Sequence, residues 1–197
     1  MTCMVNELAR PALFLDLPMS EASPGEPAYL SLPSLLRKQR DWDVAGRDVH
    51  VCENPNIVAI AADVLGQHCI PLVCTDGMPS AAQRALLSQL SGAGARLRYH
   101  GDYDWAGIAI GNVVIGKFGA SPWRFSAADY RVAVGTTGAT SRRLLSPGRA
   151  AAWDDLLQGA MLECMKPVDE EALADTLIGD LERRLQKRPC ISSGASL

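Results

Sequence analysis

Asp102 and Asp104 stand one residue apart at the end of a short strand-like run, and Gly107 follows soon after. A second such run, residues 49–52, ends in Glu53 and passes into Asn54-Pro55. Acids of this type suit a divalent cation, because magnesium takes oxygen ligands, keeps several waters and is held by only a few carboxylates. Around a strand end, Asp102 and Asp104 can face a common point while Tyr103 points away, and Gly107 permits close backbone approach. An ion held there polarises a phosphodiester and stabilises its leaving oxygen. Glu53, Asp102 and Asp104 are therefore the candidate catalytic and metal-binding group, with Glu53 as ligand or general base. Each acid alone has a simpler use, as a helix N-cap favoured by unpaired amides and the helix dipole. It is their occurrence together at equivalent strand ends that argues for chemistry.

Other residues carry weaker signals. Asp76, in Thr75-Asp76-Gly77-Met78-Pro79-Ser80, is a fourth candidate ligand or supporting acid; its alternative role is to form that turn with Gly77. His100 is a candidate to orient an acid or meet a DNA phosphate, or simply packs at a strand end. Arg124 has a planar fork that matches phosphate, with a surface ion pair as the other use. Trp105, Trp123 and Trp153 are expected in the core. Tyr29, Tyr99, Tyr103 and Tyr130 sit in no recognisable nucleophile context and are expected to pack.

The elements that must position the acids follow from periodicity. Residues 12–17 suggest a strand, 19–27 a loop and 31–38 a short helix. Residues 48–52 read as a strand. Asn54 caps a helix with Pro55 in its first turn and Ile57, Ile60, Ala61, Val64 and Leu65 on its apolar face, ending at Gly66. Residues 69–74 form a continuous apolar run that suits a strand covered on both faces. A helix is expected over 80–91, a strand over 95–99 and a helix over 105–115. This β-α-β-α-β-α order predicts a parallel sheet with right-handed crossovers. Ligand sites in such sheets lie at the carboxyl ends of the strands, where Glu53, Asp76, Asp102 and Asp104 all fall. Further on, 122–130 reads as a strand or loop leading into a helix, and 135–147 as a polar loop exposing Arg142 and Arg143. Helices are expected over 148–165 and 168–186, and a disordered tail over 189–197. The expected organisation is a poorly defined segment over 1–28, one domain with C-terminal helices over 29–188, and the tail.

Bulk properties narrow the field. The 197 residues suit one domain with a real core, and 48% hydrophobic with 21% charged is ordinary for a globular protein. The formal charge of −3 shows no global basic character, although a metal can neutralise phosphate locally. The six cysteines form no C-x-x-C pair and read as buried free thiols of a reducing, cytoplasmic setting. No run is long enough to span a membrane and no signal peptide is evident.

Glu53 after the first strand of the repeat and Asp102/Asp104 after the third resemble the Toprim domain of topoisomerases, bacterial primases and related nucleases. Thr75-Asp76-Gly77-Met78-Pro79 and Asp102-Tyr103-Asp104-Trp105-Ala106-Gly107 are similar to the corresponding segments of the topoisomerase VI A subunit type. Residues 25–130 also resemble the C-terminal half of JetD-like nuclease subunits of Wadjet plasmid defence. The segments that carry this are Val51-Cys52-Glu53-Asn54-Pro55, the turn at 75–80, the run from His100 to Gly107, Pro122-Trp123-Arg124 and Ala127-Ala128-Asp129-Tyr130. The resemblance implies an α/β Toprim fold, a Rossmann-like mostly parallel sheet flanked by helices, with a helical C-terminal extension. It implies a Mg²⁺- or Mn²⁺-dependent DNA endonuclease that hydrolyses phosphodiesters. Expected partners are DNA, the subunits of an SMC–kleisin-type complex and a second copy of the chain, with no membrane. Topoisomerase VI-like relatives use a tyrosine in a separate winged-helix domain, and JetD-like chains are longer at the N-terminus, so truncation is an expectation here. The alternative reading is a non-catalytic interaction or DNA-binding module, inactive without that N-terminal domain. A phosphatase of the haloacid-dehalogenase type also uses D-x-D, but places it after its first strand and follows it with Thr or Val, where this chain has Trp105.

Overall fold

The computed structural model describes residues 10–17, 23–37, 40–138, 142–145 and 148–186. The tail expected at 189–197 and parts of the loops expected at 19–27 and 135–147 lie outside them. The described residues form one sheet of six strands and seven α-helices. The strands are β1 (Ala12–Leu15), β2 (Ala28–Leu30), β3 (Asp48–Cys52), β4 (Leu72–Cys74), β5 (Arg96–Tyr99) and β6 (Ser121–Pro122). The helices are α1 (Leu32–Arg37), α2 (Pro55–Leu65), α3 (Ala81–Gly92), α4 (Trp105–Phe118), α5 (Ala127–Thr136), α6 (Leu157–Cys164) and α7 (Ala174–Gln186).

Strand order is β2-β1-β4-β3-β5-β6. The pairs β3–β4, β3–β5 and β5–β6 are parallel, whereas β1 runs antiparallel to both β2 and β4. The fold is thus the expected mixed α/β, mostly parallel and Rossmann-like arrangement, with an antiparallel hairpin added at one edge. Val49, Val51, Leu72, Val73 and Cys74 are all buried, as central strands covered on both faces require. Side-chain caps open the crossover helix α2 and the helix α5 that follows the last strand. Asn54 accepts from the Asn56 N–H to start α2 behind Pro55, and Ser126 accepts from the Asp129 N–H to start α5.

Three stretches depart from the sequence expectation. The strand expected over 69–74 is ordered as a strand only from Leu72, since residues 66–68 close in a 3₁₀ turn and Pro71 has no N–H to give. The helix expected over 148–165 begins only at Leu157. Tertiary bonds claim the backbone before it: Asn112 Nδ2 donates to Ala150 O at 2.9 Å, and the Ala152 N–H donates to Asn112 Oδ1 at 2.7 Å. Trp153 meanwhile stacks on Phe125, with ring centroids 5.1 Å apart. The helix expected over 168–186 is a 3₁₀ turn at Glu170–Leu173 followed by α7. Val168 is drawn instead into an antiparallel bridge with Tyr103. Strand β2 is additional, arising over Ala28–Leu30 between the loop expected at 19–27 and the helix expected at 31–38.

Candidate active site

β4, β3 and β5 are neighbours, so the segments leaving their carboxyl ends emerge side by side. Glu53 follows β3 directly, Asp76 lies two residues beyond β4, and the D-x-D loop follows β5. Glu53 Oε2 accepts from the Asp102 N–H at 3.3 Å, and the Tyr99 hydroxyl donates to the same oxygen at 3.5 Å. Asp104 caps α4, its Oδ1 accepting from the Gly107 N–H at 2.8 Å. Capping and chemistry are therefore not exclusive here. The described bonds occupy Oε2 of Glu53, Oδ1 of Asp102 and Oδ1 of Asp104, one oxygen of each carboxylate. Gly107 is required at its position, because a Cβ there would collide with the Asp102 carbonyl. A Cβ at Gly101 would lie 2.6 Å from the Tyr99 hydroxyl and 2.8 Å from Glu53 Oε2.

The electrostatics follow from this crowding. Burial, then the negative charges of Asp102 and Asp104, push the Glu53 carboxyl up to about 7. Asp102 is also raised, first by burial, with Asp104, Asp169 and Glu171 adding to it. Against these negative charges stands Arg142, whose guanidinium donates to Asp169 Oδ1 at 2.6 Å and also feels Asp104 and Asp102.

Glu170 is the residue that sequence reasoning missed. It is fully buried, and its Oε2 accepts from the Glu53 N–H at 3.0 Å and the Asn54 N–H at 2.6 Å. Its own N–H donates to Asp102 Oδ1 at 2.6 Å. Burial pushes its carboxyl well up, against those two amide bonds. The apolar repeat of Leu173, Leu177 and Leu181 made residue 170 look like the first turn of a solvated helix. The only signal in the sequence was an acid just after Pro167, where a chain returning to the sheet could meet its rim.

The weaker candidates fall elsewhere. Asp76 adopts φ 51° and pairs with Arg10 at 3.2 Å, and the N–H of the next residue, Gly77, donates to Glu53 O at 3.3 Å. Arg10 also donates to the Asp76 and Met78 carbonyls, so the residue serves the turn. His100 is fully buried, with Nδ1 2.9 Å from Trp123 O, among Tyr103, Trp123 and Phe125. Burial lowers it to about 4, so it is neutral and out of reach of a phosphate at its present depth. Arg124 makes a two-pronged ion pair with Asp180 on α7, Nη2 to Oδ1 at 2.8 Å, and Asp180 also takes Arg183. Its fork is committed to holding the β6 loop against the last helix. Trp123 is buried as expected, and Tyr99, Tyr103 and Tyr130 are fully buried while Tyr29 is exposed. Burial raises all three enclosed phenols, so they remain protonated. Cys52, Cys69 and Cys74 are buried free thiols.

The donor types at the rim fit a hard, oxygen-seeking cation. Among the described residues, no group of three or more His, Cys, Asp or Glu side chains is gathered to hold an ion as placed. Among the same residues no helix is long and apolar enough to cross a membrane.

Fold and rim together define an α/β protein with an acidic cluster at the carboxyl ends of adjacent parallel strands. More narrowly, the chain belongs to the DUF2399 family, described as a protein of unknown function C-terminus, whose model matches residues 28–181. No curated protein and no solved structure matches the chain.

Proposed function

We propose that this chain is a Toprim-type, Mg²⁺-dependent DNA endonuclease domain, the nuclease subunit of an SMC-type anti-plasmid defence complex of the Wadjet kind. The observation that carries the reading is the placement of Glu53 and the D-x-D loop at the carboxyl ends of neighbouring parallel strands, with Glu53 Oε2 accepting from the Asp102 N–H at 3.3 Å. A divalent cation offsets the charge of these acids, and a phosphodiester is a substrate that needs one. The strand-end placement and the order of the motifs support the Toprim assignment. Membership of the DUF2399 family supports the likeness to JetD-type subunits.

In this reading Glu53, Asp102 and Asp104 hold the metal, which when bound neutralises charge building on the phosphate and the leaving oxygen. Asp104 keeps Oδ1 on the α4 cap and offers Oδ2 to the site. Glu53 would either share in holding the metal or take a proton from the attacking water. The water oxygen bonds to phosphorus, one P–O ester bond breaks, and the departing oxygen takes up a proton. Asp76 and Arg124 are left with the structural roles described above.

The test pairs Mn²⁺ binding, read by the loss of the free-ion electron paramagnetic resonance signal, with nicking of closed circular DNA. The wild-type chain should bind Mn²⁺ and cut. Asp102→Ala combined with Asp104→Ala should do neither while its circular dichroism stays native. Wild-type cutting by that double variant would overturn the proposal. A second reading, a non-catalytic interaction or DNA-binding module of the same complex, has its own support in the absence of a pre-gathered ligand group among the described residues. Retained DNA or complex binding without Mn²⁺ binding would favour it.

A further inference from the structure

We infer that Glu170 is a positioning residue, which locks Glu53 and Asp102 into fixed relation through a closed ring of carboxylate-to-amide bonds. The inference rests on the metal-site reading for its functional consequence, and on bond geometry alone for the ring itself.

The ring has three links. The Glu170 carboxylate accepts from the backbone N–H of Glu53 at 3.0 Å. The Glu53 carboxylate accepts from the backbone N–H of Asp102 at 3.3 Å. The Asp102 carboxylate accepts from the backbone N–H of Glu170 at 2.6 Å. Each residue thus uses one side-chain oxygen to hold the next residue's main chain, and no link can move without disturbing the other two. The need for the first link is local. β3 ends at Cys52, so the N–H groups of Glu53 and Asn54 pass beyond the ladder into a part-buried position where an unpaired donor is costly. Glu170 satisfies both.

The segment bearing Glu170 is itself held. Tyr103 and Val168 exchange backbone bonds of 2.9 and 3.3 Å, so the residue between the two aspartates is stitched to the approach to Glu170. Glu171 Oε1 accepts from Asn56 Nδ2 at 2.5 Å, tying the next residue to the first turn of α2. Leu173 and Leu177 are buried behind it. Glu170 has no exposed surface, so it cannot meet DNA, and its effect must pass through the acids it holds.

Two near-isosteric variants separate reach from charge in the full-length chain. Glu170→Gln keeps the length and one carbonyl acceptor but cannot ionise. Glu170→Asp keeps a carboxyl group but shortens the side chain by one methylene and loses the reach to both amides. Native circular dichroism is required of both. Amide hydrogen exchange at Glu53 and Asn54, followed by nuclear magnetic resonance, reads the ring; Mn²⁺ affinity reads its consequence. Glu170→Gln should keep the Asn54 amide protected and bind Mn²⁺ within about threefold of wild type. Glu170→Asp should lose protection at both amides and bind about 10- to 100-fold more weakly, the range for residues that orient metal ligands. Weak binding by Glu170→Gln with strong binding by Glu170→Asp would overturn the inference in favour of charge. Wild-type protection and affinity in both variants would overturn it outright. If the wild-type chain binds no Mn²⁺, the metal reading fails, and the exchange data alone decide whether Glu170 holds the two acids.

Discussion

Glu53→Gln should make the metal-free protein more stable, and the gain should depend on pH in one direction only. Folding moves the Glu53 carboxyl from 4.5 to about 7, chiefly by burial and then by the charges of Asp102 and Asp104. That displacement corresponds to about 3 kcal/mol against the folded state once the group is ionised. The sign follows from proton binding. Between the two values the folded chain holds a proton that the unfolded chain has released, so stability falls as pH rises. The penalty is absent below the unfolded value, grows through the interval and is constant above about 7. Glutamine retains an oxygen for the Asp102 N–H and the Tyr99 hydroxyl, so it removes the charge while the bonds persist. Relaxation and residual solvent reduce the gain, so about 1–3 kcal/mol is expected at pH 8. At roughly 2–4 °C per kcal/mol for a domain of this size, the melting temperature should rise by about 2–12 °C. Urea denaturation with EDTA present, at pH 4.5, 6 and 8, measures it. A variant less stable than wild type at pH 8, or a gain equal at pH 4.5 and pH 8, would refute the account of the crowded carboxylates.

Asp104→Ala should cost about 1 kcal/mol through loss of the α4 cap, whereas Asp104→Asn should keep the cap and stability yet abolish Mn²⁺-dependent cutting. Denaturation and nicking assays on the two variants separate these uses of one side chain. Gly107→Ala, an exchange that gains about 1 kcal/mol in an open helix, should instead destabilise, because its Cβ meets the Asp102 carbonyl; thermal melting gives the sign. Arg124→Ala should lower stability by about 1 kcal/mol or less and leave DNA affinity unchanged. The Arg124 and Arg183 guanidiniums hold the Asp180 carboxyl well below its usual range, so its share of stability is present above that range and lost as pH falls. Repeating the melts in high salt should therefore erase most of the Arg124 effect, whereas at pH 3 the folded Asp180 is still ionised and most of the effect should remain.

The central sheet was legible because its signals were local. Asn54-Pro55, Gly66 and Ser80 punctuate helices, and the alternation of apolar and polar residues at 48–52 and 95–99 suits strands. Glu53 and the D-x-D could be placed at one rim from element order alone. Glu170 could not, since its role depends on a return of the chain that no periodicity encodes. The helix expected over 148–165 failed for a related reason: Asn112 and Phe125 compete for backbone and side-chain bonds that a solitary helix would have satisfied itself. His100 and Arg124 look like phosphate ligands by type. One is enclosed by aromatic rings and the other committed to Asp180, facts set by distant partners.

The bridge between Tyr103 and Val168 closes a long stretch of chain, and the bond of Glu170 to the Glu53 N–H joins residues 117 positions apart. During synthesis the strands carrying Glu53 and Asp102 emerge long before the segment that clasps them. A nascent chain could pair its sheet while the acidic rim stayed slack, and only the later segment that carries Glu170 would draw it tight. The order of translation therefore delays the site's final shape until that segment has emerged, and contacts of such long sequence separation are the slow ones to form.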